Sequence, residues 1–152
     1  MRLWLAAVGR ARPGPEAELF RGYAGRIQPS LQVREVEEKR PLPSSERKAR
    51  EADLLLAALP AGATLVVLDE RGQAMPSRAF AERLGRWRDD GTGDLAFLVG
   101  GADGHGEAVR ARAALLLSLG PMTWPHMLVR VLLAEQVWRA QSILAGHPYH
   151  RD

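Results

Sequence analysis

Apolar residues in this chain fall in short unbroken runs separated by amphipathic stretches. Leu3 to Val8 is wholly apolar and ends at Gly9 and the Pro13-Gly14-Pro15 punctuation, which predicts a buried strand. From Glu16 to Ile27 the residues Leu19, Phe20, Tyr23 and Ile27 recur at helical spacing, and Pro29 stops the helix. Leu31, Val33 and Val36 predict a second strand, and Lys39 to Pro43 a loop. Ser44 or Ser45 is placed to cap a helix that runs to Leu59 and closes at Pro60-Ala61-Gly62. Thr64 to Leu68 reads as a third strand and Asp69-Glu70-Arg71-Gly72 as the turn after it. Ser77 is placed to cap a helix that carries Phe80, Leu84 and Trp87 on one side and ends at Asp90-Gly91-Thr92-Gly93. Leu95 to Val99 is another apolar strand, followed by the glycine-rich run Gly100 to Gly106. A short helix near Glu107 to Arg112, a strand at Leu115 to Ser118 and a long helix from about Pro125 to Gly146 complete the chain.

Strands alternating with helices predict an α/β domain with a mainly parallel sheet flanked by helices. Continuous apolar strands fit, because such strands are covered on both faces. No repeat, linker or low-complexity tract divides residues 1–152, so one domain is expected. The last helix is unusual in carrying apolar residues on several sides. Val129, Leu133, Val137, Ala140 and Leu144 form one stripe, Met127, Val131 and Trp138 a second, and Leu128, Leu132 and Ile143 a third. A surface helix of a monomer needs one such stripe. Burial against both its own sheet and a second subunit is expected, with a fully internal helix as the alternative.

Composition narrows the function classes. The absence of cysteine excludes disulfides, thiolate metal sites and cysteine nucleophiles. No apolar run approaches the roughly 20 residues that span a bilayer, so a soluble cytoplasmic protein with no membrane partner is expected. The net charge of +3 is unevenly placed. Met1 to Pro60 holds 11 basic and 8 acidic residues, whereas Ala61 to Asp152 holds 10 of each. Nineteen of the 21 basic residues are arginine, which binds phosphate and stacks on bases better than lysine. That bias permits an RNA partner and equally suits arginines on solvated faces.

Candidate chemistry lies after the strands, where open parallel sheets bind ligands. The run Val99-Gly100-Gly101-Ala102-Asp103-Gly104 lacks the Lys-Ser/Thr ending of a phosphate-binding loop and misses the dinucleotide glycine spacing. It reads either as a tight turn or as backbone that a ligand approaches closely. Ser118 to His126 combines two stiffening prolines with Met122, Thr123 and Trp124, which suits an adenine pocket or an ordinary capped helix entry. The terminal Gly146-His147-Pro148-Tyr149-His150-Arg151-Asp152 concentrates side chains that bind phosphate, stack on bases or move protons. Its two histidines have no third ligand at a suitable spacing, so no metal site is expected.

Several of these segments carry a resemblance. Leu65-Val66-Val67-Leu68-Asp69-Glu70-Arg71-Gly72, Phe97 to Gly104, and Leu117 to His126 resemble the RlmH family of SPOUT-class methyltransferases. So do Leu128 to Gln136, Trp138-Arg139-Ala140 and the terminal His147-Pro148-Tyr149-His150-Arg151. The chain departs from the family at Asp103-Gly104-His105-Gly106, where Glu or Phe-Gly is usual, and at Trp124, where a smaller residue is common. The resemblance implies a trefoil-knot α/β fold, a homodimer, and S-adenosyl-L-methionine as cofactor. Carried over by motif, Leu68, Gly101, Gly120, Pro121, Met122, Thr123, Trp124 and Pro125 would hold the cofactor. Tyr149, His150 and Arg151 are the candidate catalytic residues. The implied reaction is methylation at N3 of a pseudouridine in 23S rRNA of the large subunit or assembled ribosome. A non-catalytic ribosome- or RNA-binding protein on the same fold, and a SPOUT methyltransferase acting on tRNA, are the competing readings.

Overall fold

The computed structural model describes all residues from Met1 to Asp152. In chain order its elements are β1 (Arg2–Val8), α1 (Pro15–Ala24), β2 (Leu31–Val36), α2 (Ser44–Ala57), β3 (Thr64–Ala74), α3 (Ser77–Asp89), β4 (Asp94–Val99), α4 (Glu107–Ala111), β5 (Leu115–Ser118) and α5 (His126–Ala145). The strands form one sheet in the order β2-β1-β4-β3-β5, and every pairing is parallel.

Side chains alternate across the strands, so each apolar run feeds two cores. Leu3, Leu5 and Ala7 of β1, with Phe97 and Val99 of β4, face a core shared with Phe80 and Leu84 of α3 and Leu133 and Val137 of α5, and α1 also packs on α5. Trp4, Ala6 and Val8, with Ala96 and Leu98, face the opposite core, closed by Ala52 and Leu55 of α2 and Val109 of α4. Across the first face the register sets Val33, Leu5, Phe97, Val66 and Leu115 side by side. Burial on both faces explains why these strands show no polar alternation.

Three local expectations are corrected. Neither Ser44 nor Ser77 caps its helix; Pro43 and Pro76 hold the cap positions, with no side-chain cap bond. Ser77 instead donates its hydroxyl to Gln136 Oε1 of α5 at 2.7 Å. The first helix stops at Ala24, and Ile27 is buried in the turn after it. The run Asp69 to Gly72 does not end β3. Leu68 and Gln73 both pair with Leu117, so the residues between them bulge out and the strand resumes. Gly72 is required there by a close approach, since a Cβ would lie 2.6 Å from the Leu116 carbonyl.

The helix α5 crosses from the edge strand back to the loop after β1. It is held there by Arg130, whose side chain is buried. One guanidinium nitrogen donates to Glu35 Oε2 at 2.6 Å, and another reaches the Val8 and Gly9 carbonyls at 3.1 and 2.9 Å. Glu35 also accepts the Ala11 N–H at 2.7 Å. Burial alone would raise the Glu35 pKa, but the Arg130 and Ala11 hydrogen bonds outweigh it and hold the carboxyl below its usual range. Glu35→Ala strands a buried cation and should cost about 3 kcal/mol in urea denaturation at neutral pH. Because the folded pKa is depressed, the wild-type advantage is complete above the ordinary carboxylate range. It is lost as pH falls through the depressed value, so the two unfolding curves should converge on acidification.

Candidate active site

The carboxyl ends of three neighbouring strands, β4, β3 and β5, open into one cavity of about 640 Å³. Leu68, Val99 and Leu117 form its floor, and Leu119 and Val129 add apolar wall. Asp69, Glu70, Asp103 and Lys48 bring charge to its rim.

Two loops shape it. In the first, Gly101 and Gly104 bridge each other and the Gly104 N–H donates to the Gly101 carbonyl at 3.0 Å, with Gly104 at φ +77°. His105 folds under this loop, its Nε2 lying 3.3 Å from the Leu98 carbonyl. A carbonyl only accepts, so Nε2 carries the proton. Burial lowers the His105 pKa, partly opposed by that bond, and the ring is a neutral strut. In the second loop the Ser118 hydroxyl accepts the Gly120 N–H at 3.1 Å, while Gly120 takes φ +109°. The Thr123 hydroxyl donates to Glu70 Oε2 at 3.3 Å and ties this loop to the β3 bulge.

Of the eight residues expected to bind the cofactor, Leu68, Gly101, Gly120, Met122, Thr123, Trp124 and Pro125 line this cavity. Pro121 does not. Met122 and Trp124 are 73% and 43% exposed, which is high for apolar side chains beside a cavity. Gly101 is also crowded from behind. A Cβ there would meet Val8 Cγ1 at 3.0 Å and the Glu51 carboxylate at 3.3 and 3.4 Å, so the core behind the loop favours glycine independently of any ligand.

The three tail residues lie elsewhere, folded along α5 and outside the cavity lining. Tyr149 donates its hydroxyl to Glu135 at 3.0 Å, packs on Trp138 and lies beneath the Arg139 guanidinium. Burial, then the bond to Glu135, raises the Tyr149 pKa. His150 Nδ1 faces Arg139 at 3.1 Å and its Nε2 faces Asp152 at 2.8 Å. Arginine only donates, so Nδ1 accepts and Nε2 carries the proton. Both ring nitrogens are thereby engaged, while Arg151 is exposed.

A second cavity, of about 770 Å³, lies between α1, β2 and the start of α5. Phe20, Leu31, Val33 and Met127 line it, with Arg10, Arg12 and Arg21 among its charged residues. His126 lines both cavities, so the two adjoin.

Residues 1–150 match the family model described as "Predicted SPOUT methyltransferase". The chain belongs to the SPOUT methyltransferases. Within them it belongs to the group named ribosomal RNA large subunit methyltransferase H. It is 66% identical to the member from Paramagnetospirillum magneticum over 151 residues, 99% of each chain. It is 60% identical to that of Rhodospirillum rubrum over 152 residues, all of both chains. Among solved structures it is similar to a probable methylase family protein from Haemophilus influenzae, with TM-score 0.59 and 11% identity, covering 99% of this chain and 70% of the other. The SpoU methyltransferase AviRb from Streptomyces viridochromogenes gives 0.50 and 16%, covering 92% and 58%. These distant structures support the shared fold alone.

The candidate site also contains residues given no role in the sequence. The loop Leu68 to Gly72 is one of the strand ends expected to carry chemistry, but Asp69 and Glu70 within it read only as a turn. Asp69 is paired with Arg110 at 3.1 Å; burial raises its pKa, but bonds from Arg71 outweigh this and lower it. A charged run directly after an apolar strand was the available signal for both bulge acids. Gly101→Ala should lower unfolding stability by about 1–3 kcal/mol, the usual cost of overpacking a filled site. Thermal denaturation without any ligand is the measurement, and an unchanged Tm would show that the loop has room behind it.

Proposed function

We propose that this protein transfers a methyl group from S-adenosyl-L-methionine to N3 of a pseudouridine in large-subunit ribosomal RNA. The observation that carries the reading is the single cavity into which three adjacent strand ends and both special loops converge. Its residues suit the cofactor. Apolar Leu68, Leu117, Leu119 and Val129 offer surface for an adenine ring, and the Gly100-Gly101 and Gly120 segments offer backbone polar groups without intervening side chains. The acidic groups Asp69, Glu70 and Asp103 favour a cationic ligand. When bound, the cofactor supplies an electrophilic methyl on a sulfonium.

The protein's part is to position the RNA and to ease loss of the imide proton. For an N3–H whose pKa lies about two units above ambient, deprotonation costs roughly 2.7 kcal/mol, which a nearby cation offsets. Arg10, Arg12 and Arg21 adjoin the cofactor cavity through His126 and suit RNA phosphates. Arg151 and His150 are the candidate charge-stabilising and proton-accepting groups. His150 must release Arg139 to take a proton at Nδ1, and Tyr149 holds the tail against α5.

Because the tail lies outside the cavity of its own chain, the reading includes a homodimer in which it completes the partner's site. The faces of α5 support this. Leu133, Val137 and Ala140 are spent on their own core, so the middle of the first stripe is internal, while Leu144 at its end is exposed. Leu128 and Leu132 of the third stripe remain only half-buried and do not belong to the packed cores. The trefoil threading also belongs to this reading, supported by the return of α5 from the sheet edge to the β1 loop.

Ribosomal particles lacking the modification should accept label from the methyl-labelled cofactor at one pseudouridine, mapped by mass spectrometry of nuclease fragments. Transfer only to tRNA, or none, would overturn the assignment. Deleting Pro148 to Asp152 should leave cofactor affinity near normal and lower transfer by roughly 10²–10³, as expected for lost transition-state charge stabilisation. Leu132→Glu should shift the protein towards monomer in sedimentation at micromolar concentration, and a wild-type monomer would exclude the composite site.

A further inference from the structure

Behind the glycine loop lies a buried acid that the proposed mechanism does not use. Glu51 of α2 is 7% exposed, and its Oε1 has no hydrogen-bond partner. Its carboxyl oxygens lie 3.3 and 3.4 Å from where a Gly101 Cβ would stand, so the carboxyl packs behind Gly101, a residue that lines the cavity.

The charges around it compensate it only in part. Arg47 on the same helix is the nearby cation; its Nη2 is bound to the Leu42 carbonyl at 3.1 Å, and no hydrogen bond joins it to Glu51. Lys48 lines the cavity and packs on Gly106. From the segment after β2 comes Glu38, already paired with Arg40 and Arg50, and from the glycine loop comes Asp103. On α4, Arg110 is engaged by Asp69 and Glu107. Burial first, then Asp103 and Glu38 against Arg47, raises the Glu51 pKa. A buried carboxyl without donors either keeps its proton or gains a cation beside it. The cavity on the other side of Gly101 is where a sulfonium would arrive.

We propose that Glu51 senses the charge of the cofactor, releasing its proton to solvent when the cationic methyl donor fills the cavity and regaining it when the neutral thioether product remains. This rests on the cofactor reading above. It gives the two ligands different affinities although they differ by one methyl and one charge. The acid packs directly behind a loop residue that lines the cavity, so the attraction acts at short range through protein rather than bulk water. Over the pH range in which Glu51 of the free protein still holds its proton, donor affinity rises with pH. It levels once the carboxyl is ionised throughout, while product affinity stays flat. The proton release is therefore read within that range.

Calorimetric titration in two buffers of different ionisation enthalpy tests it, using S-adenosylmethionine and S-adenosylhomocysteine on the full-length protein. The wild type should release more proton with the first ligand than with the second. Glu51→Gln, which keeps the shape of the protonated acid, should abolish that difference. It should weaken the donor about tenfold, the change for one pKa unit, and move the product by less than about twofold. Asp103→Asn should move the difference to lower pH, because Asp103 helps to keep the proton on Glu51. Equal proton release by the two ligands in the wild type overturns the inference without need of any variant, and so does an undiminished difference in Glu51→Gln. If neither ligand binds, the cofactor reading itself fails and this inference falls with it.

Discussion

The arrangement of this protein depends on a buried guanidinium. Arg130 binds Glu35 and the two carbonyls that end β1, and so brings the first turn of α5 against the C-terminal edge of the sheet. Its neighbours follow from that placement. Met127 and His126 come to rest beside Gly9, and His126 becomes the wall shared by the two cavities. A buried charge is costly unless paired and hydrogen-bonded, which makes the link intolerant of a partial loss. The clamp therefore fixes where the last loop lies as much as it holds the helix.

The cavity is a consequence of strand order. With β4 inserted between β1 and β3, and β5 placed on the outer side of β3, three strands that are distant in sequence end side by side. The β3 bulge places Asp69 and Glu70 on the rim, where Thr123 and Arg110 hold them. Loop shape is set from behind as well as from within. His105 supports the glycine turn, and Val8 and Glu51 crowd the position a side chain would take at Gly101. Such contacts from behind fix the course of the loop backbone that lines the cavity.

The tail has a different status. Its aromatic and ionic contacts to Trp138, Glu135 and Arg139 give it a defined course along α5, so it is neither frayed nor inside the cavity. On the proposed function, a cavity at one end of the sheet and a tail held along α5 would make each chain half of a composite site. The half-buried Leu128 and Leu132 on the same helix fit that view.

All ten elements were legible in the sequence, because buried parallel strands leave unbroken apolar runs and the covering helices leave periodic ones. The segments that line the cavity were legible too, since glycine and proline directly after a strand mark unusual backbone. Local pattern was least reliable where partners came from far along the chain. Ser77 looked like a cap and became a hydrogen bond to Gln136, and Asp69 to Gly72 looked like a turn and became a bulge against β5. The crowding of Gly101 by Val8 and Glu51 could not be read from its place after a strand, because both neighbours come from elsewhere in the chain. The stripes of α5 showed that the helix was covered on several sides but not by what, because Val137 and Leu132 are equally apolar in sequence. Only the packing of α1 and α3 around α5 separated the internal face from the open one, since burial belongs to the neighbours a residue meets and not to the residue itself.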